Sequence, residues 1–297
     1  MRLGTLAGVW LPLATGLVGA APSDAQTPGV SVGPQYDTTH VYVAPADMDR
    51  FAAAFIATFG GKASKPALTH VTPTPSTTLF QAIQTPAGSI SLFGFTTPIP
   101  YPFGAERTGY LVKDMDAAIA AARAAGVEVL VTPFPDPIGQ DAVVQWPGGV
   151  DMQFYVHTTP PTYPAFKTIP ENRVYVSPDR AEAFVHAFLA FSHGSVTQDA
   201  AKAPGLEIGR PGEAFREIRI DSGFGKLTVL VTDGHLPFPY GRETTGYEVT
   251  NLADTLAKAM AAGASVLAGP YVSRDRGEAF VQFPGGYIAE VHAPAGD

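Results

Sequence analysis

Two short runs place polar side chains at alternate positions. Gln153, Tyr155 and His157 stand in Gln153-Phe154-Tyr155-Val156-His157, and Glu290 and His292 stand in Glu290-Val291-His292. Alternate residues of a strand share a face, so each set points one way. A carboxylate beside an imidazole suits either a general base or a metal ligand pair. The competing reading of His292 is an exposed histidine at a strand end. His235, in Asp233-Gly234-His235-Leu236-Pro237, lies in a loop, as does His70; His186 falls on a helix and His193 at a helix end. The chain has no cysteine, which removes thiol nucleophiles and thiolate metal sites. No nucleophile elbow, phosphate loop or dinucleotide fingerprint is present, because the Gly-Gly pairs sit between strands. A net charge of −8 without a basic cluster argues against a nucleic-acid partner.

The elements that must position these residues repeat. Thr108-Gly109-Tyr110-Leu111-Val112 returns 137 positions later as Thr245-Gly246-Tyr247-Glu248-Val249. The same offset carries Val144-Gln145-Trp146-Pro147-Gly148-Gly149 onto Val281-Gln282-Phe283-Pro284-Gly285-Gly286, and His40-Val41-Tyr42-Val43 matches Arg173-Val174-Tyr175-Val176. Such self-similarity indicates duplicated domains. Patterning predicts a strand at 37–43, a helix at 47–59, and strands at 78–85 and 89–95 joined through Pro86-Ala87-Gly88. The next segment predicts a strand at 109–112, a helix capped by Asp114 and ended by Gly126, and three further strands up to 156. Thr158–Pro170, with four prolines, reads as a linker. The order then recurs to the C-terminus. Residues 26–36 form a leader, 37–157 a first domain and 171–297 a second, each with two strand–helix–strands modules.

These features resemble the vicinal oxygen chelate superfamily, which includes glyoxalase I, extradiol dioxygenases and bleomycin-resistance proteins. The resemblance rests on His40-Val41-Tyr42-Val43 leading into Asp47-Met48-Asp49, on Val112-Lys113-Asp114-Met115-Asp116-Ala117-Ala118, and on the aromatic-Pro-Gly-Gly turns. It implies an α+β fold of four βαβββ modules, paired into two glyoxalase-like domains, each a curled mixed sheet forming a cup. It also implies where ligands sit: on the first strand of each module and the closing strand of the second. Those positions are His40, Arg107 and Gln153 in the first half, and Arg173, Thr244 and Glu290 in the second. A guanidinium repels a cation, so neither set is a standard divalent-metal centre. The expectation is metal-independent acid/base chemistry of the lyase or isomerase type on a small oxygenated molecule. In that reading His40 is the acid/base, Arg107 the oxyanion partner, and Gln153, Tyr155, Arg173, Glu290 and His292 bind substrate. Two alternatives stand beside it: a non-catalytic protein that sequesters a small molecule, and a metal-dependent dioxygenase or isomerase using Glu290, His292 and His235.

The N-terminus carries Arg2 followed by an apolar run from Leu3 to Ala21, then Ser23-Asp24-Ala25. This reads as a signal peptide of residues 1–25, giving a periplasmic or secreted protein without a membrane anchor after cleavage. An exported chain without disulfides must rest on its hydrophobic core.

Overall fold

The computed structural model describes Met1 and residues 29–295; apart from Met1, the expected signal peptide lies outside the described residues. The first module comprises β1 (Thr38–Tyr42), α1 (Met48–Phe59), β2 (Lys62–Ala63), β3 (Ala67–Thr69), β4 (Thr78–Thr85) and β5 (Gly88–Phe95). The second comprises β6 (Thr108–Leu111), α2 (Met115–Ala124), β7 (Glu128–Asp136), β8 (Gly139–Trp146) and β9 (Val150–His157). The third has β10 (Glu171–Val176), α3 (Ala181–Ser192), β11 (Ser195–Pro204), β12 (Ala214–Ser222) and β13 (Gly225–Val231). The fourth has β14 (Thr244–Glu248), α4 (Leu252–Ala261), β15 (Ser265–Ser273), β16 (Arg276–Gln282) and β17 (Ile288–Pro294). Local chemistry sets several boundaries. The Asp114 carboxylate accepts the Ala117 amide at 2.7 Å to start α2, and Asn251 does the same for Asp254 in α4 at 2.9 Å. Gly148 and Gly149 both adopt positive φ, as do Gly285 and Gly286, so the β8–β9 and β16–β17 turns need glycine at two successive positions.

Each half builds one mixed sheet, and the two sheets have the same strand order. It runs β2-β4-β5-β1-β6-β9-β8-β7 in the first, with β3 also on β4, and β11-β12-β13-β10-β14-β17-β16-β15 in the second. The first strands of paired modules meet antiparallel at the sheet centre, with Thr38 opposite Gly109 and Glu171 opposite Gly246. The α+β class and the paired cups therefore stand as expected. Three edge strands, β2, β3 and β11, were not anticipated. β11 is bulged twice and mostly solvent-facing, so its sequence lacks the alternation that marks a half-buried strand.

The main cores are shared between halves. α1 packs on α4, and one apolar cluster unites Phe51 and Phe55 of the first module with Tyr247 and Phe283 of the fourth. α2 packs on α3, and a second cluster joins Trp146 and Phe154 to Phe184, Phe188 and Phe191. The Phe154 and Phe191 rings stack with centroids 4.9 Å apart. Fully burying each such ring contributes roughly 1.5–3 kcal/mol. The convex faces of the sheets are thus consumed by this packing, which leaves the concave faces free to carry polar chemistry.

Candidate functional site

In the first cup, strand alternation puts Val41 into the core and turns Thr38, His40 and Tyr42 inward. Across the sheet, β8 and β9 pair Asp141 with Tyr155 and Val143 with Gln153, so these four share the concave face. A cavity of about 200 Å³ lies between them. Its walls include His40, Phe80, Phe93, Asp141, Gln153 and Tyr155, with Val71, Ile138, His157 and Tyr163 towards the rim. His40 is only 2% exposed, and Phe93 meets its ring edge-on at 5.4 Å. Its two nitrogens have different surroundings. Nδ1 faces the buried carboxylate of Glu106 at 3.5 Å, whereas Nε2 lies over Gly109, 2.5 Å from where a Cβ would stand. Glycine at 109 therefore gives the imidazole its room.

Glu106 also accepts a hydrogen bond from the Tyr42 hydroxyl. Burial, reinforced by the Glu106 charge, pushes the Tyr42 phenol well above its ordinary range. Burial likewise raises the Asp141 carboxyl well above the usual carboxylate range; the Asp136 charge adds to this, and a hydrogen bond with Gln153 opposes it. Burial thus favours the uncharged form of Asp141 inside the cup. Burial raises the Tyr155 phenol, which donates to the Tyr36 carbonyl and so fastens the leader over the cup. His157 is half-buried, and desolvation lowers its pKa.

Arg107 requires a correction. Its backbone carbonyl accepts the His40 amide at 2.8 Å, but its guanidinium lies over the Tyr42 ring, 5.6 Å from the centroid, outside the cavity wall. The neighbouring Glu106 is instead the residue beside His40. Glu106 and Asp141 are the residues that sequence reasoning missed. Each has an acidic counterpart 137 positions on, Glu243 and Glu278, and that retained character is the signal available in the sequence.

The second cup is filled by charge. Arg173 is fully buried, donating to Glu171 at 2.8 Å and lying 3.9 Å from Glu278. Arg276 reaches the other Glu171 oxygen at 3.1 Å, and Glu290 pairs with His292 Nδ1 at 2.8 Å. Burial opposes ionisation of Glu171, but Arg276 and Arg173 outweigh it and hold the carboxyl well below its ordinary range. Glu290 is lowered in the same way, by His292 and Arg173 against burial. Glu278, in contrast, is pushed up to about 8 by burial. A cavity of about 290 Å³ beside this cluster is lined by charged groups already engaged with one another, among them Lys226 with Glu248 and Arg276 with Glu171.

Glu290 and His292 do come together, but His235 does not join them. It is 87% exposed and lies 3.8 Å from Asp233 in its own loop. Among the described residues no three His, Asp or Glu side chains converge in a metal-ligand arrangement. With the Arg173 guanidinium seated among its carboxylates, the donor set of the second cup does not fit a divalent ion. His186 is solvent-exposed on α3; His193 caps that helix in the left-handed conformation; exposed His70 hydrogen-bonds through Nδ1 with the Ser76 carbonyl at 2.6 Å. No helix among the described residues is long and apolar enough to cross a membrane.

No family model and no curated protein matches the sequence. Solved structures are similar in fold. A mutant of 4-hydroxymandelate synthase from Streptomyces coelicolor superposes with a TM-score of 0.63 at 13% identity, over 91% of this chain and 94% of that one. The Mn(II)-bound glyoxalase from Novosphingobium aromaticivorans gives 0.51 at 13% identity, over 89% and 82%. A mutant of homoprotocatechuate 2,3-dioxygenase from Brevibacterium fuscum gives 0.54 at 12%, over 91% and 73%.

Proposed function

We propose, for a chain with the vicinal oxygen chelate fold, that the first cup binds a small neutral oxygenated molecule and moves a proton on it. The observation that carries this reading is the two-sided environment of His40, a cavity-wall residue with Nδ1 towards Glu106 and Nε2 over Gly109. That is the arrangement a general base needs: one nitrogen free for substrate, the other facing a carboxylate that stabilises the imidazolium when it forms. Gln153, and Asp141 in the uncharged form that burial favours, supply donors to an oxygen that gains charge as the proton leaves. These two take the role expected of Arg107. The chemistry is of the lyase or isomerase class, and no step is assigned to a metal.

Size and charge narrow the substrate. A cavity of about 150 Å³ holds benzene, so about 200 Å³ suits one ring with small substituents. The walls contain Asp136 and no Lys or Arg, which disfavours an anion. Aromatic walls from Phe80, Phe93, Tyr155 and Tyr163 favour a second reading, capture without turnover. The test is a panel of neutral single-ring phenols and ketones, scored by mass spectrometry for binding and for conversion. Conversion abolished by His40→Gln supports the enzyme; tight binding without product supports capture. We further propose export, with cleavage after Ala25; N-terminal sequencing of protein recovered outside the cytoplasm checks it.

A further inference from the structure

We infer that the Arg173 guanidinium is a built-in cation that fills the second cup and closes it to divalent ions. Arg173 is the counterpart of His40, each opening the inward face of the first strand of its half. Three other strand positions direct carboxylates into the same buried volume: Glu171 on β10, Glu278 on β16 and Glu290 on β17. All three are at most 5% exposed, and they supply the charges that hold Arg173 ionised against burial. Carboxylates so placed need a cation among them, since an unpaired buried charge is costly.

The geometry indicates charge compensation more than hydrogen bonding. Both Glu278 oxygens, Oε1 of Glu290, and Nε and Nη2 of Arg173 have no hydrogen-bond partner. An oxygen-rich cage with lone pairs to spare is what a hard cation takes, and here the covalently attached guanidinium occupies it. Gly246 completes the cage: a Cβ there would stand 2.5 Å from Glu290 Oε2 and 3.3 Å from Arg173 Cδ. Geometry agrees: Arg173 lies against Glu171 and Glu278, and Arg276 against the same two, so the carboxylates of the cup already face two guanidinium groups. The second cup is therefore occupied by its own side chain, whether or not the first cup is catalytic.

The cage becomes a cation site once the guanidinium is removed. The probe is Mn²⁺ alone, followed by equilibrium electron paramagnetic resonance and by paramagnetic broadening of the His292 ring signals. In the wild-type protein, Mn²⁺ leaves the His292 signals sharp. In Arg173→Ala, or in Arg173→His as a second variant, one additional Mn²⁺ binds per chain with a Kd of about 10⁻⁴ M or tighter. That gain is lost again on adding Glu290→Gln. Refolding of either variant that requires Mn²⁺ is the same result in another form. Stoichiometric broadening of His292 in the wild type overturns the inference. So does the failure of both variants to gain Mn²⁺ or to fold in its presence.

Discussion

Glu106 and His40 form a buried pair in which the carboxyl lies 3.5 Å from Nδ1, while Nε2 lies over Gly109. A partner on the Nδ1 side sets the orientation of the ring and stabilises its protonated form, so Glu106 is a positioning residue. Glu106→Gln keeps the size of the side chain and removes its charge. It is expected to lower kcat by about 10²-fold or more with ligand affinity little changed, and to shift the pH profile of turnover. An unchanged kcat with a raised KM would show that Glu106 serves binding only.

Gly109→Ala tests the space given to the imidazole. The new Cβ stands 2.5 Å from Nε2, 3.0 Å from Thr38 Oγ1 and 3.1 Å from Tyr155 Cε1, so the ring must turn away. Turnover is expected to fall to the level of His40→Gln, with overpacking costing about 1–3 kcal/mol of stability. Calorimetry and kinetics on the purified variant separate the two effects.

Stability is expected to fall as pH rises through the neutral range. Burial pushes the Glu243 carboxyl from its ordinary 4.5 up to about 8, although Thr108 donates to it at 3.2 Å. A group raised on folding binds its proton more tightly in the native state. Its contribution is complete below the unfolded value and is lost as pH climbs through the folded one. Glu278 acts in the same direction. Glu243→Gln is therefore expected to flatten the decline of Tm between about pH 5 and 8. A wild-type Tm that rises over this window, or a variant with the same slope, contradicts the assignment.

Because Trp146 packs on Phe184, Phe188 and Phe191 of the other half, the halves are expected to unfold together. Trp146→Ala should cost about 3–5 kcal/mol and move one cooperative transition instead of splitting it. Two separate transitions in the variant would mean that each half keeps a core of its own.

Much of this arrangement was legible in the sequence. The 137-residue repeat and the helix start at Asp114 specify the modules, and period-two alternation puts Gln153, Tyr155 and His157 on one face, which in the structure lines the same cavity as His40. The resemblance put Arg107 at the first-strand ligand position and passed over Glu106, whose counterpart is also Glu. That Glu106 and not Arg107 meets His40 has no linear signature. Gly109 and Gly246 repeat, yet each makes room for a side chain that differs between the halves, His40 in one and Glu290 in the other. The pairing of α1 with α4 and α2 with α3 was equally hidden, since apolar periodicity shows that a face is buried without showing against what.

Proton transfer at His40 is most directly tested by deuterium incorporation from D₂O into bound single-ring ligands, read by mass spectrometry alongside ligand occupancy. The wild-type protein is predicted to exchange a carbon-bound proton of at least one ligand, and His40→Gln to bind that ligand while exchanging it about 10²–10⁴-fold more slowly. Equal exchange by both proteins, or a ligand held stoichiometrically by the wild type with neither exchange nor conversion, would contradict the account.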